Sequence, residues 1–162
     1  MKPEKAHYVV ATAIIVKDGK YLIAKRSPNE KVMPNEWTVP GGKLEMDDYQ
    51  KLPKDTSHHW YNVAEILLRR EVREEVGLEI DNIKYLTSIT FIRPDGIPAI
   101  ILSYYADYVS GEVELEDSLT EHAWVSTKEA SRYKLIEGIY EELEMLDKVL
   151  QGQEVKEWSK KK

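Results

Sequence analysis

The first third of the chain alternates between apolar segments and short polar breaks, which predicts a start rich in β-structure. His7 to Val16 is apolar and β-branched, as buried strands are. Lys17 to Lys20 has the composition of a hairpin turn, so Tyr21 to Arg26 is predicted as the returning strand. Pro and Asn residues predict a loop over 27–36, and Trp37 to Val39 follows as a short strand.

The middle of the chain changes between helix and strand patterns. Residues 62–76 hold no Pro or Gly and predict a helix. Two predicted strands follow, Ile83 to Ile92 and Ile97 to Val109. An acidic loop at 110–121 then leads to a short strand at His122 to Val125.

The C-terminal part predicts helical segments and then an irregular tail. Ser126 and Glu129 have the spacing of a capping box, which opens helical segments that run to about Leu150. Residues 152–162 are expected to be frayed. Strands with helices inserted in two places predict an α/β domain over residues 1–162, with a mixed sheet flanked by helices.

The helix predicted at 62–76 carries three glutamates on one face. Glu71, Glu74 and Glu75 stand at i, i+3 and i+4. At about 100° of rotation per residue, they continue an apolar stripe made up of Val63, Ala64, Leu67 and Leu68. Like charges at this spacing repel each other. A charged surface helix is one explanation, but a site for Mg²⁺ or Mn²⁺, which prefer oxygen ligands, is favoured.

Two fragments of the chain together resemble the signature of the Nudix hydrolase family, whose members include MutT. The fragment Arg70 to Leu78 matches the signature at every fixed position. The earlier fragment, Gly41 to Glu45, contains the signature's first glycine at Gly42. The signature is long, so the resemblance is specific even though the fragments are separated.

The middle of the signature departs from the family pattern. The expected Glu falls on Asp48 when counted from Gly42, and on Asn62 when counted back from Arg70. These positions are 14 residues apart, so we infer an insertion of that length within about 46–61. Its polar composition predicts a mobile flap near the cleft. We expect Asn62 to cap the helix through its side chain, and Asp48 to be a weaker, outer acid.

The resemblance implies an α/β/α sandwich and the hydrolysis of a nucleoside diphosphate linked to another group, with divalent metal. A (deoxy)nucleoside triphosphate giving monophosphate and pyrophosphate is the leading substrate. A nucleotide sugar, a dinucleoside polyphosphate, or a non-catalytic nucleotide-binding regulator are the alternatives. The intact Arg-Glu and Glu-Glu pairs argue against the regulator, because a pure binder has less need of them.

The resemblance also assigns residues to roles. Expected metal ligands are the three helix glutamates and the glycine turn, that is Glu71, Glu74, Glu75, Gly41 and Gly42. The expected catalytic residues are Glu74, Glu75 and Arg70, with Arg70 holding the glutamates in place. Arg26 and Trp37 are expected to bind substrate.

Some assignments stay open at this stage. A further acidic ligand is expected from the loop before the strand of Trp124, and three residues compete for it: Glu116, Asp117 and Glu121. His58 and His59 are adjacent and so do not share a helix face, which disfavours a zinc site. They would reach the substrate only if the insertion folds over the cleft.

Composition narrows the function classes. With 162 residues and a net charge of −6, the chain can build a substantial core but is not suited to grip nucleic acid. It has no Cys, so a disulfide, a thiolate metal site or a cysteine nucleophile is excluded. No apolar run approaches about 20 residues, and no signal-peptide core is present, so a cytoplasmic protein without a membrane span is expected. No sequence feature decides whether it forms a homodimer.

Overall fold

The computed structural model describes residues 3–161. The strands within this range are β1 (Tyr8–Lys17), β2 (Lys20–Arg26), β3 (Trp37–Thr38), β4 (Gly41–Lys43), β5 (Glu79–Ile92), β6 (Pro98–Ser110) and β7 (Leu119–Val125). The α-helices are α1 (Val63–Val76), α2 (Thr127–Ala130) and α3 (Ile139–Leu150). Short 3₁₀ turns lie at Pro3–Lys5 and Met46–Asp48.

Strand β1 is the centre of a mixed sheet. It pairs in parallel with β6 from Tyr8, opposite Ala99, to the end of the strand. Its first half pairs antiparallel with β4, where Thr12 lies opposite Gly41, and its end forms the predicted hairpin with β2. Strand β5 lies outside β6, while β3 and β7 pair with β2. The glycines of β4 are thereby held against the central strand.

Side chains of β1 alternate between two hydrophobic layers. Ala11, Ala13 and Ile15 belong to the core on the α1 side, whereas Ile14 belongs to the core on the α3 side. Helix α1 contributes Leu67, Leu68, Val72 and Val76, and α3 contributes Ile139, Leu143 and Leu146. The sheet therefore lies between helices, which confirms the predicted α/β/α sandwich.

Two strands begin earlier than the sequence pattern predicted. Strand β5 starts at Glu79 rather than Ile83, because Ile80 is already buried in the α1-side core. Strand β7 starts at Leu119 rather than His122 for the same reason, since Leu119 packs in that core. The acidic loop is shorter as a result, and this draws it toward the end of α1.

The predicted helical region near the C-terminus is divided into α2 and α3. Ser126 and Glu129 form the expected capping box at the start of α2. Gly138 precedes α3 with a φ of 98°, a conformation that favours glycine. Beyond α3, residues 153–161 form no helix or strand, and Lys161 pairs with Glu144 at 2.7 Å. No helix in the described residues 3–161 has the length and apolar character needed to cross a bilayer.

Glu142 of α3 is a buried carboxyl that lacks a full set of partners. Ser103 of β6 hydrogen-bonds to it, but within residues 3–161 no donor reaches its Oε1 atom. Burial raises the pKa of Glu142, and the hydrogen bond from Ser103 opposes this only in part. The native protein therefore binds a proton on the Glu142 carboxyl more tightly than the unfolded chain does. The stability that this bound proton contributes is fully present below the pKa that Glu142 has in the unfolded chain. It is lost as the pH rises toward the pKa that Glu142 has in the folded protein.

Glu142→Gln is expected to remove this loss of stability. As the pH rises above the ordinary glutamate pKa of 4.5, the variant should become more stable relative to the wild type, because an amide has no charge to bury. Thermal unfolding midpoints between about pH 4 and about pH 7 measure the difference. Glu137→Gln, at an exposed position just before α3, is the control. Parallel pH curves for Glu142→Gln and wild type would contradict the expectation.

Candidate active site

The last turns of α1 lie against the glycine turn of β4. A Cβ built on Gly42 would fall within 3.0 Å of the Glu71 side chain, so only glycine allows this approach. The backbone N–H of Gly41 donates a hydrogen bond to the carboxylate of Glu75. Because Glu71 and Glu75 are one helical turn apart, both face the glycines. The structure thus brings together four of the residues predicted for the site.

The carboxyl groups of Glu71 and Glu75 hydrogen-bond to each other, as two carboxyls do when they share a proton. Burial, with the added charges of Glu71 and Glu116, raises the pKa of Glu75 to about 9. Burial also raises the pKa of Glu71, against the opposing charge of Arg70. Two carboxyls in contact resist ionising together. The pair therefore retains a proton at neutral pH unless a positive charge compensates it.

Glu116 is the loop acid that approaches this carboxyl pair. Its backbone N–H donates to the carbonyl oxygen of Glu75 at 3.0 Å, and its charge acts on the Glu75 carboxyl. Ser118 orients it by donating a hydrogen bond from Oγ to Glu116 Oε1 at 2.6 Å. Glu121 instead pairs with Lys25 at 3.2 Å, and Asp117 is exposed. Of the three acids left open by the sequence, Glu116 is the one whose charge acts on the Glu75 carboxyl.

Arg70 ties three carboxylates together beside the pair. Its guanidinium lies 2.5 Å from Asp48 Oδ1, 3.0 Å from Glu71 Oε1 and 2.9 Å from Glu74 Oε2. A planar guanidinium can hold several carboxylates in fixed directions. This geometry agrees with the expected role of Arg70 in holding the glutamates in place. It also sets Glu74, whose side chain is largely exposed, on the solvent side of Arg70.

Asp48 and Asn62, the two candidates for the missing acid of the signature, differ in their contacts. The Asp48 side chain is only 5% exposed, pairs with Arg70 and accepts a hydrogen bond from the Glu45 N–H. Asn62 makes no side-chain cap. Its backbone is left-handed, with φ 58° and ψ 31°, which differs from the extended conformation that a capping side chain needs. Asp48 therefore holds the position beside Arg70, and the intervening segment is 49–62.

The two predicted substrate-binding side chains have other partners. Arg26 donates from Nε to the carbonyl of Val32 at 2.9 Å and pairs with Glu30 at 3.5 Å. Trp37 packs edge-on against Tyr133, with ring centroids 4.7 Å apart, in the core on the α3 side of the sheet. None of these contacts joins Arg26 or Trp37 to the carboxyls of Glu71 and Glu75 on the α1 side of the sheet.

The carboxyl groups suit a divalent cation by their chemistry. Glu71, Glu75 and Glu116 offer the hard oxygen donors that Mg²⁺ and Mn²⁺ prefer. A cation there would replace the shared proton and relieve the repulsion that raises the Glu75 pKa. Within residues 3–161, no three His, Asp or Glu side chains enclose an ion as they stand.

Known proteins resemble this chain both in sequence and in structure. The NUDIX domain family model matches residues 6–146. The nucleoside triphosphatase NudI of Salmonella agona is 27% identical over 137 residues, with 78% of this chain and 86% of that protein covered. The MutT protein of Methanosarcina mazei is similar in structure, with a TM-score of 0.69 and 24% identity over 91% of this chain and 98% of its own. The NUDIX domain of Shewanella oneidensis NrtR, complexed with ADP ribose, has a TM-score of 0.64 and 16% identity, covering 94% and 93%.

Proposed function

Because this chain belongs to the Nudix family, we propose that it is a divalent-cation-dependent pyrophosphohydrolase that converts a (deoxy)nucleoside triphosphate to monophosphate and pyrophosphate. Its activity class is that of a hydrolase acting on phosphorus-containing anhydrides. The similarity to a nucleoside triphosphatase supports the triphosphate as substrate. The structural neighbour with ADP ribose supports, as the second candidate, a nucleoside diphosphate linked to a sugar.

The observation that carries the proposal is the meeting of the carboxyls of α1 with the glycine turn of β4. Glu71 and Glu75 share a proton there, and Glu116 adds a third acid from the loop. Burying acids side by side destabilises a fold, so their convergence is better explained by a ligand than by structure. The divalent cation that accompanies a polyphosphate supplies the missing positive charge.

The residues of the chain then have separate tasks. A bound divalent cation supplies charge neutralisation at the phosphate oxygens and lowers the pKa of water. The N–H of Gly41 orients the Glu75 carboxylate, and Arg70 orients Glu71. Either carboxylate, once free of the shared proton, can accept a proton from the attacking water. The other then remains charged and stabilises the site.

A substrate panel tests the proposal. Nucleoside and deoxynucleoside triphosphates, ADP-ribose and a dinucleoside polyphosphate are each incubated with Mg²⁺ or Mn²⁺, and the products are identified by chromatography. We expect triphosphates to give monophosphate and pyrophosphate, and EDTA to abolish turnover. Faster cleavage of ADP-ribose would favour the second candidate. Tight nucleotide binding without cleavage of any substrate would identify a regulator and overturn the proposal.

A further inference from the structure

We propose that the rings of Tyr49 and Trp60 form an aromatic neck that closes segment 49–62 at its base. This neck positions Asp48, which directly precedes the segment, on Arg70 of α1. The part of the site before the segment, with Asp48, and the part after it, with Arg70, would thereby be held as one unit. The inference rests on the proposed function for its kinetic test, and on the fold alone for its stability test.

The neck is built from one aromatic pair and two further contacts. The centroids of the Tyr49 and Trp60 rings are 5.2 Å apart, with the planes tilted by 59°. Trp60 Nε1 donates a hydrogen bond to the carbonyl oxygen of Leu52 at 2.9 Å. The Lys54 ammonium lies 5.3 Å from the centroid of the Trp60 ring. Trp60 thus binds both the start and the middle of the segment, and it fixes where the chain returns to α1.

The tip of the segment is closed by its own hydrogen bonds. Asp55 accepts from the Tyr61 N–H at 2.8 Å and donates its own N–H to the His59 carbonyl at 3.0 Å. The Thr56 hydroxyl and His59 Nδ1 are 2.9 Å apart. These contacts describe a loop that bonds to itself, and its mobility as a flap stays a prediction. His58 and His59 lie within this tip, where their contacts are with Thr56.

The neck matters because Asp48 and Arg70 are 22 positions apart in the chain. Closing a long flexible loop has an entropic cost that rises with its length. Once Tyr49 meets Trp60, only the short link at 61–62 and two turns of helix separate the neck from Arg70. The contact between Asp48 and Arg70 is then formed between ends that are already neighbours.

Asp48 depends on this proximity more than an exposed acid would. Its carboxylate is only 5% exposed and is matched by the guanidinium of Arg70. A buried carboxylate that loses its partner is costly, so weakening the neck would push Asp48 toward solvent. Arg70 would then interact with Glu71 and Glu74 alone. The positive charge beside the shared carboxyl pair would move, and the affinity of the site for a cation would change.

The kinetic test compares two adjacent aromatic residues. Loss of groups that orient metal ligands typically lowers metal affinity or activity by about 10- to 100-fold. We therefore expect Trp60→Ala to lower kcat/KM by about 10-fold and to raise the Mg²⁺ concentration needed for half-maximal rate. Trp60→Phe should retain most of the activity, because it keeps the ring contact. Tyr61→Ala is the matched control, since the Tyr61 side chain is 64% exposed.

A double-mutant cycle tests whether Trp60 acts through Asp48. In an Asp48→Ala background, Trp60→Ala should add little further loss of kcat/KM, because the contact it supports is already gone. The unfolding free energies of the same four proteins should likewise be non-additive, and this holds even if no substrate is found. Tyr49→Ala provides a second route to the same result if Trp60→Ala does not fold. Additive losses in both measurements, or a loss in Tyr61→Ala equal to that in Trp60→Ala, would overturn the proposal.

Discussion

Glu75→Gln is expected to lower kcat at least about 100-fold while the protein remains folded. Charge stabilisation by a metal ion contributes several kcal/mol to such reactions, and about 1.4 kcal/mol corresponds to a tenfold change in rate. The amide removes both a cation ligand and a proton acceptor from the carboxyl pair. Steady-state kinetics on the best substrate of the panel, at saturating Mg²⁺, measures the effect.

The stability of the same variant separates this effect from misfolding. Burial raises the pKa of Glu75 to about 9, so the wild-type side chain is protonated and neutral near pH 7 without metal. Gln replaces one neutral group with another of similar shape, so the unfolding midpoint in EDTA should hold or rise. Glu79→Gln, an exposed acid just beyond α1, serves as the control for kinetics. Near-normal turnover in Glu75→Gln would exclude this carboxylate from the metal site.

The overall architecture was predictable because its information is local and repetitive. The apolar run of β1 alternates between two cores, and the helix of residues 62–76 has the length and composition that the structure shows for α1. The resemblance of the signature fragments assigned Glu71 and the glycine turn to one site, and the structure places them together. The strand and helix depend on local periodicity, whereas the meeting of Glu71 and Gly42 was available only through the family resemblance.

The side-chain cap predicted at Asn62 failed because long-range packing decides the chain path there. Counting from Gly42 had already marked Asp48, but the preference of Asn for helix caps favoured Asn62 instead. The left-handed backbone at Asn62 follows from the return of the chain out of the neck, which no local propensity encodes. Glu116 could not be separated from its acidic neighbours, because its approach to Glu75 depends on where β7 begins. Arg26 was assigned by family analogy and Trp37 because it borders the glycine turn, and sequence alone does not show that their partners come from an irregular loop and a distant segment.

The two glycines of β4 are expected to fail in opposite ways when each is replaced by Ala. A Cβ on Gly42 would meet the Glu71 side chain, whose flexible end can move to another rotamer at a cost of about 0.5–1.5 kcal/mol. A Cβ on Gly41 would meet the carbonyl oxygen of Ala11 and the Cα of Thr12, which are backbone atoms of the central strand. Gly42→Ala should therefore stay folded and lose activity, whereas Gly41→Ala should lose stability.

Each variant serves as the control for the other. We expect Gly42→Ala to lower kcat at least about 100-fold, because the displaced Glu71 no longer meets Glu75 and the loss should approach that of a deleted ligand. Gly41→Ala should destabilise the fold by about 1–3 kcal/mol, as overpacking against an immobile neighbour does. Denaturant unfolding and steady-state kinetics on both variants provide the comparison. If Gly42→Ala keeps wild-type turnover, Glu71 can leave its observed position without harm, and the carboxyl pair at the end of α1 would not be the reacting centre.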